Sequence, residues 1–185
     1  GKLKSVTMTN EMGVEVKEKL SKDAKTWSTA EDLGYNHTYS IVASDVDGNK
    51  KKLSFSTPQA AGVAEVSLSP IPDSEVGVGQ VIGVNFGVPI TDRKAAEKTI
   101  TVTTNPEVKG AFYWVNNQEV RWRPKEYWEP GTKVEVKVDQ YGKDLGGGIY
   151  GGENAKTNFT IGDRTVAIID NATKTMKVFK NKKFL

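Results

Sequence analysis

Glu119-Val120-Arg121-Trp122-Arg123-Pro124 alternates polar and apolar residues without a break. In an extended chain successive side chains point to opposite faces. Val120 and Trp122 therefore share one face and Glu119, Arg121 and Arg123 the other. The apolar face reads as core, with Trp122 anchoring two sheets to each other. The charged face reads as an outer sheet surface or a docking surface. Arg grips carboxylates in a two-pronged way, so Glu119 and Arg121 are the candidate contact residues.

Outward from this stretch the same kind of pattern recurs. Short runs rich in Val, Ile, Thr, Tyr and Phe lie at 5–9, 38–43, 52–56, 81–86, 99–103, 119–123, 133–138 and 157–161. Clusters of Gly, Pro, Asn and Asp separate them, as expected of strands joined by turns. Only 92–98 reads helical, with Thr91 or Asp92 as its N-cap and Lys98 suited to its C-terminal end. Two stretches also match each other. Leu53-Ser54-Phe55-Ser56-Thr57 and Thr157-Asn158-Phe159-Thr160-Ile161 each follow a Trp, a Gly, an alternating strand and an Asp/Gly turn. That is a divergent internal repeat, two modules of one fold. The fold class is all-β, as tandem immunoglobulin-like β-sandwiches.

The expected organisation is an immunoglobulin-like module at 1–58, a linker at 59–62, a second module at 63–161 and a β-hairpin at 162–185. The first module is short by a strand or two at its N-terminus, which predicts an exposed sheet edge there. The hairpin, with its turn at 170–174, is too small to stand alone in water.

Composition narrows the chemistry. The 185 residues carry 26 basic and 23 acidic side chains, a net charge of +3. That balance is too mild, and the cations too scattered, for a nucleic-acid partner. No apolar run approaches the length of a membrane span. The chain has no cysteine, which excludes a thiol nucleophile and Cys-ligated metals. Its one histidine, His37, excludes multi-His zinc sites. No cofactor and no metal site is expected.

Other motifs read as architecture. The glycine-rich stretch Tyr141–Gly152 lacks the Gly-Lys-Ser/Thr ending of a phosphate loop and reads as a long hairpin loop. Asp45-Val46-Asp47-Gly48-Asn49 has too few oxygen ligands for calcium and reads as a hairpin turn. Trp114, Trp128, Tyr113 and Tyr127 could line a sugar platform only in part, because alternation turns some of them inward. Glu126 and Glu129 flank Trp128 with nothing to split their acidities, which argues against glycosidase chemistry.

The runs Ala96–Ile100, Asn105–Trp114, Glu119–Pro124, Trp128–Thr132, Tyr141–Gly146 and Phe159–Asp163 resemble the second immunoglobulin-like module of actinobacterial L,D-transpeptidases. Val6–Asn10 and Leu33–Tyr39 resemble the first module. Asp170–Phe179 resembles the opening hairpin of the YkuD-type catalytic domain. The resemblance implies an enzyme outside the plasma membrane, anchored near its N-terminus, whose cysteine acylates on a peptide stem and builds 3→3 peptidoglycan cross-links. It also implies carbapenem sensitivity. The family's catalytic His and Ser-His-Gly-Cys motifs have no counterpart in these residues, so no catalytic residue carries over and the chain as given is not an enzyme.

The expected role is that of a spacer and docking unit. Its partners would be peptidoglycan and the parent's own catalytic domain, with Glu119 and Arg121 as interface or peptidoglycan-contact residues. The alternative is a stand-alone cell-surface module for binding or adhesion.

Overall fold

The computed structural model describes residues 1–185. The chain divides into two compact units, Gly1–Ala60 and Ala61–Leu185. In the first lie β1 (Leu3–Asn10), β2 (Glu18–Leu20), β3 (Trp27–Thr29), β4 (Thr38–Asp45) and β5 (Lys50–Ser56). They form a three-stranded sheet in the order β1-β4-β5 and a separate β2-β3 pair. Val6, Met8 and Tyr39 are its buried apolar side chains, while Leu53 and Phe55 on β5 stay half-exposed. Asp45 closes the β4–β5 turn. Its carboxylate accepts from the amides of Asp47 and Asn49 and from the Asn49 side chain. Gly48 supplies the positive φ, +87°, that the turn needs.

The second unit opens with β6 (Gly62–Ala64), β7 (Ser67–Ser69), β8 (Ser74–Val76) and β9 (Ile82–Asn85). The one helix, α1 (Arg93–Lys98), follows. Then come β10 (Ile100–Asn105), β11 (Gly110–Trp114), β12 (Glu119–Pro124), β13 (Lys133–Val138), β14 (Ile149–Gly151) and β15 (Ala155–Ile161). Two four-stranded sheets result, ordered β10-β13-β15-β8 and β11-β12-β9-β7. The helix starts where Asp92 accepts from the Ala95 amide at 2.9 Å and stops at Thr99, whose hydroxyl donates to the Ala96 carbonyl. It is a connector, as its sequence suggests.

Alternation gives this unit its core. Val120 and Trp122 from β12 and Ile82 and Val84 from β9 meet Val134, Val136 and Val138 from β13 and Phe159 and Ile161 from β15. Each fully buried side chain of this size contributes about 1.5–3 kcal/mol. Trp128 sits between the sheets, its ring centroid 5.6 Å from that of Trp122 and 6.4 Å edge-on from that of Phe159. The indole N–H donates to the Gln80 carbonyl at 2.7 Å, so the burial of Trp128 leaves no polar group unpaired.

The glycine-rich loop is part of this body. Leu145 is fully buried, and β14 pairs in parallel with β6. Gly146, Gly147 and Gly148 all hold positive φ. A side chain at Gly146 would also strike the backbone of Asp92.

The last segment holds β16 (Thr165–Asp170), β17 (Thr175–Lys180) and β18 (Lys183–Phe184). The expected two-stranded hairpin is thus a three-stranded meander. Asp170 caps its first turn by accepting from Ala172 and Thr173. Asp163 ties the meander to the preceding chain through Lys180 and Asn181, each at 2.8 Å.

Candidate functional site

β12 carries the candidate residues because it is a central strand, paired with β11 on one side and β9 on the other. Central position fixes the direction of its outer face. Arg121 stands opposite Tyr113 on β11 and Gly83 on β9, and Glu119 stands opposite Asn85. Beyond Gly83 comes Ser69 on β7. Small residues therefore flank Arg121 on one side and leave a shallow polar shelf.

The two candidates are brought together. Two residues apart on one strand, they share a face, and Arg121 Nε donates to Glu119 Oε1 at 2.7 Å. The Glu119 carboxylate, then the Tyr113 hydroxyl, hold the guanidinium above its ordinary range. The pair is partly exposed, at 39% for Arg121 and 24% for Glu119. An anion arriving at Arg121 must compete with Glu119. Exposed pairs of this kind add little to stability.

The aromatic residues do not assemble into a platform. Trp128 is interior. Trp114 stacks on Phe86 at 6.0 Å and donates to Glu97 Oε1 at 2.7 Å. Only Tyr113 and Tyr127 stay largely exposed. No group of three His, Cys, Asp or Glu side chains is placed to hold a metal ion. No helix is long and apolar enough to cross a membrane.

His37 proves to be a structural partner. Its Nδ1 lies 2.7 Å from Glu11 Oε1, while Glu11 Oε2 accepts from the Thr38 amide at 2.8 Å. The carboxylate thus fastens the turn after β1 to the start of β4. The His37 hydrogen bond, then backbone amides, lower the Glu11 pKa to about 2 from an ordinary 4.5. A depressed value adds stability above the unfolded pKa and loses it as pH falls through the folded one. The tie is therefore complete above pH 4.5 and fades toward pH 2. Carboxyl NMR titration should place the Glu11 midpoint near 2, and Glu11→Gln should flatten acid destabilisation of the first unit in that window. A midpoint near 4.5 would show that the tie does not form in solution.

Sequence reasoning passed over one feature. Lys109, Arg123 and Lys125 surround a hollow of about 650 Å³ beside Ala111 and Tyr113. Alternation alone puts Arg123 outward. Its grouping with Lys109 and Lys125 needs the β11–β12 register, in which Ala111 faces Arg123.

The comparisons with known proteins agree with this architecture. The bacterial Ig domain family matches residues 1–144. L,D-transpeptidase 2 of Mycobacterium tuberculosis (strain CDC 1551 / Oshkosh) is 46% identical over 184 residues, 98% of this chain and 45% of that protein. L,D-transpeptidase 5 of Mycobacterium tuberculosis (strain ATCC 25618 / H37Rv) is 32% identical over 174 residues, 90% of this chain and 39% of that protein. Among solved structures, an L,D-transpeptidase in complex with imipenem superposes with a TM-score of 0.56 at 32% identity, covering 66% of this chain and 50% of that one. The chain spans less than half the length of both curated relatives. The chain belongs to the bacterial immunoglobulin-domain family, and the relatives it resembles are L,D-transpeptidases.

Proposed function

We propose that these residues are the non-catalytic spacer and docking modules of a cell-wall L,D-transpeptidase that forms 3→3 peptidoglycan cross-links. The reading places them in the cell envelope, outside the plasma membrane. One observation carries it: 46% identity to an L,D-transpeptidase runs through 98% of a chain that has no cysteine. Transfer of an acyl group through a thiolate needs that residue. The modules would position the catalytic part, with the Glu119–Arg121 shelf meeting either that part or a peptidoglycan stem.

The test uses the parent enzyme with and without the residues matching 1–161. Wall digests analysed by mass spectrometry should show fewer 3→3 cross-links when the modules are missing, while the purified catalytic part still reacts covalently with a carbapenem. Unchanged cross-link content would overturn the spacer role, and a covalent adduct on the 185-residue chain itself would overturn its non-catalytic reading. For the shelf, Arg121→Ala in the parent should reduce wall retention or cross-linking without changing the melting temperature. If all three stay at the parental level, Arg121 is an ordinary surface residue.

A further inference from the structure

β11 is the edge strand of its sheet. Its inner side pairs with β12, and two backbone bonds fix the phase. Lys125 N donates to the Lys109 carbonyl at 3.2 Å, and Val115 N donates to the Glu119 carbonyl at 2.9 Å. In an antiparallel pair, residues alternate between facing the partner and facing away. Lys109, Ala111, Tyr113 and Val115 therefore direct their amides and carbonyls at β12. Gly110, Phe112 and Trp114 direct theirs outward, along an edge where no further strand is hydrogen-bonded. Such a row is a template for another extended chain.

The side chains say which chain fits. Lys109, Ala111 and Arg123 stand on the same outer face as Lys125, and all four are exposed. None of the three cations is paired with a carboxylate of the chain. They border the hollow of about 650 Å³ that runs along Lys109–Tyr113. The methyl of Ala111 keeps that hollow open. An added strand would lie two strand spacings, about 9.6 Å, from β12. Arg123 extends over Ala111 across most of that distance, and a carboxylate side chain reaching back from the added strand covers the rest. A second copy of the same edge is a poor occupant, because two-fold pairing would set these cations against themselves.

We infer that the β11 edge is a β-augmentation site for an extended acidic polypeptide segment, with Lys109, Arg123 and Lys125 reading carboxylates at its alternate positions. Backbone bonds to Gly110 and Phe112 supply affinity, and the cations supply the charge preference. This inference does not depend on the transpeptidase reading.

The test uses the full 185-residue chain and an eight-residue peptide alternating Thr and Glu. Hydrogen exchange by NMR should show the Gly110 and Phe112 amides exchanging fast in the free chain and becoming protected with peptide. Ala111 and Tyr113 should be protected in both states. Anisotropy titration should show binding that weakens with salt and falls roughly tenfold in Arg123→Glu. Arg123 is exposed, so that variant keeps the fold. The same peptide with Gln for Glu should bind at least as weakly. Equal binding by the Gln peptide, an unchanged affinity in Arg123→Glu, absence of binding at millimolar peptide, protection elsewhere on the chain, or a dimer that buries β11 would each overturn the inference.

Discussion

Trp128→Ala should lower the unfolding free energy of the Ala61–Leu185 unit by about 3–5 kcal/mol, the cost of removing a large aromatic side chain from a close-packed interior. Trp128 is 1% exposed and touches both sheets through Trp122 on β12 and Phe159 on β15. Truncation opens a cavity that neither ring can fill alone, and it orphans the Gln80 carbonyl that the indole satisfies. Urea unfolding followed by tryptophan fluorescence of the remaining indoles measures the loss. Trp128→Phe should recover much of the volume but leave the Gln80 carbonyl unpaired, and so fall between the two. A loss under about 1 kcal/mol for the alanine variant would mean that the inter-sheet packing is not as described.

Gly151→Ala should be nearly as damaging, through an opposite cause. A methyl at this position would run into the backbone carbonyl of Gln140, with the carbonyl carbon only 2.6 Å away. Backbone cannot swing aside as a side chain can, so the bridge between Gly151 and the chain at Gln140 and Tyr141 must give. Overpacking of this sort costs about 1–3 kcal/mol, and more where the neighbour is fixed. Two other glycines serve as controls. Gly131 has open space around it but a φ of +82°, so its alanine variant pays only backbone strain, about 1 kcal/mol. Gly77 has open space and no positive φ, so alanine there should be neutral or slightly stabilising. Thermal melts of the three variants should rank Gly151 lowest and Gly77 highest. A Gly151 variant that is not the lowest of the three would mean that the close approach of Gly151 to Gln140 is relieved in solution.

The strands longest in sequence were the most legible. Glu119–Arg123, Lys133–Val138 and Thr157–Ile161 alternate over five or more residues, and the structure places each of them in a strand. The helix was legible too, because its cap and its length are both local properties. The three-residue strands β6, β7, β8 and β14 were not. Three residues carry barely more than one period of alternation, and these strands exist because a distant partner pairs with them. The third strand of the final meander escaped because its two residues carry no alternation to read, although its partner β17 is its neighbour in sequence. The Glu119–Arg121 pair followed from spacing on one strand, whereas the Lys109–Arg123–Lys125 group is spread over two strands and appears only with their register.

By itself, then, the sequence determined the all-β class, which faces point inward, where the turns fall and that no cysteine is available for catalysis. These are properties of spacing and residue type, which act within a few positions of the chain. Only the tertiary structure decided which strands became edges, which glycines met another backbone and which cations gathered without a counter-charge. Those are outcomes of long-range pairing between distant segments, as where Thr157 donates to the Pro70 carbonyl, 87 residues away, in the interior. Local patterning sets what each strand can bury, and the register among distant strands sets what is left exposed to bind.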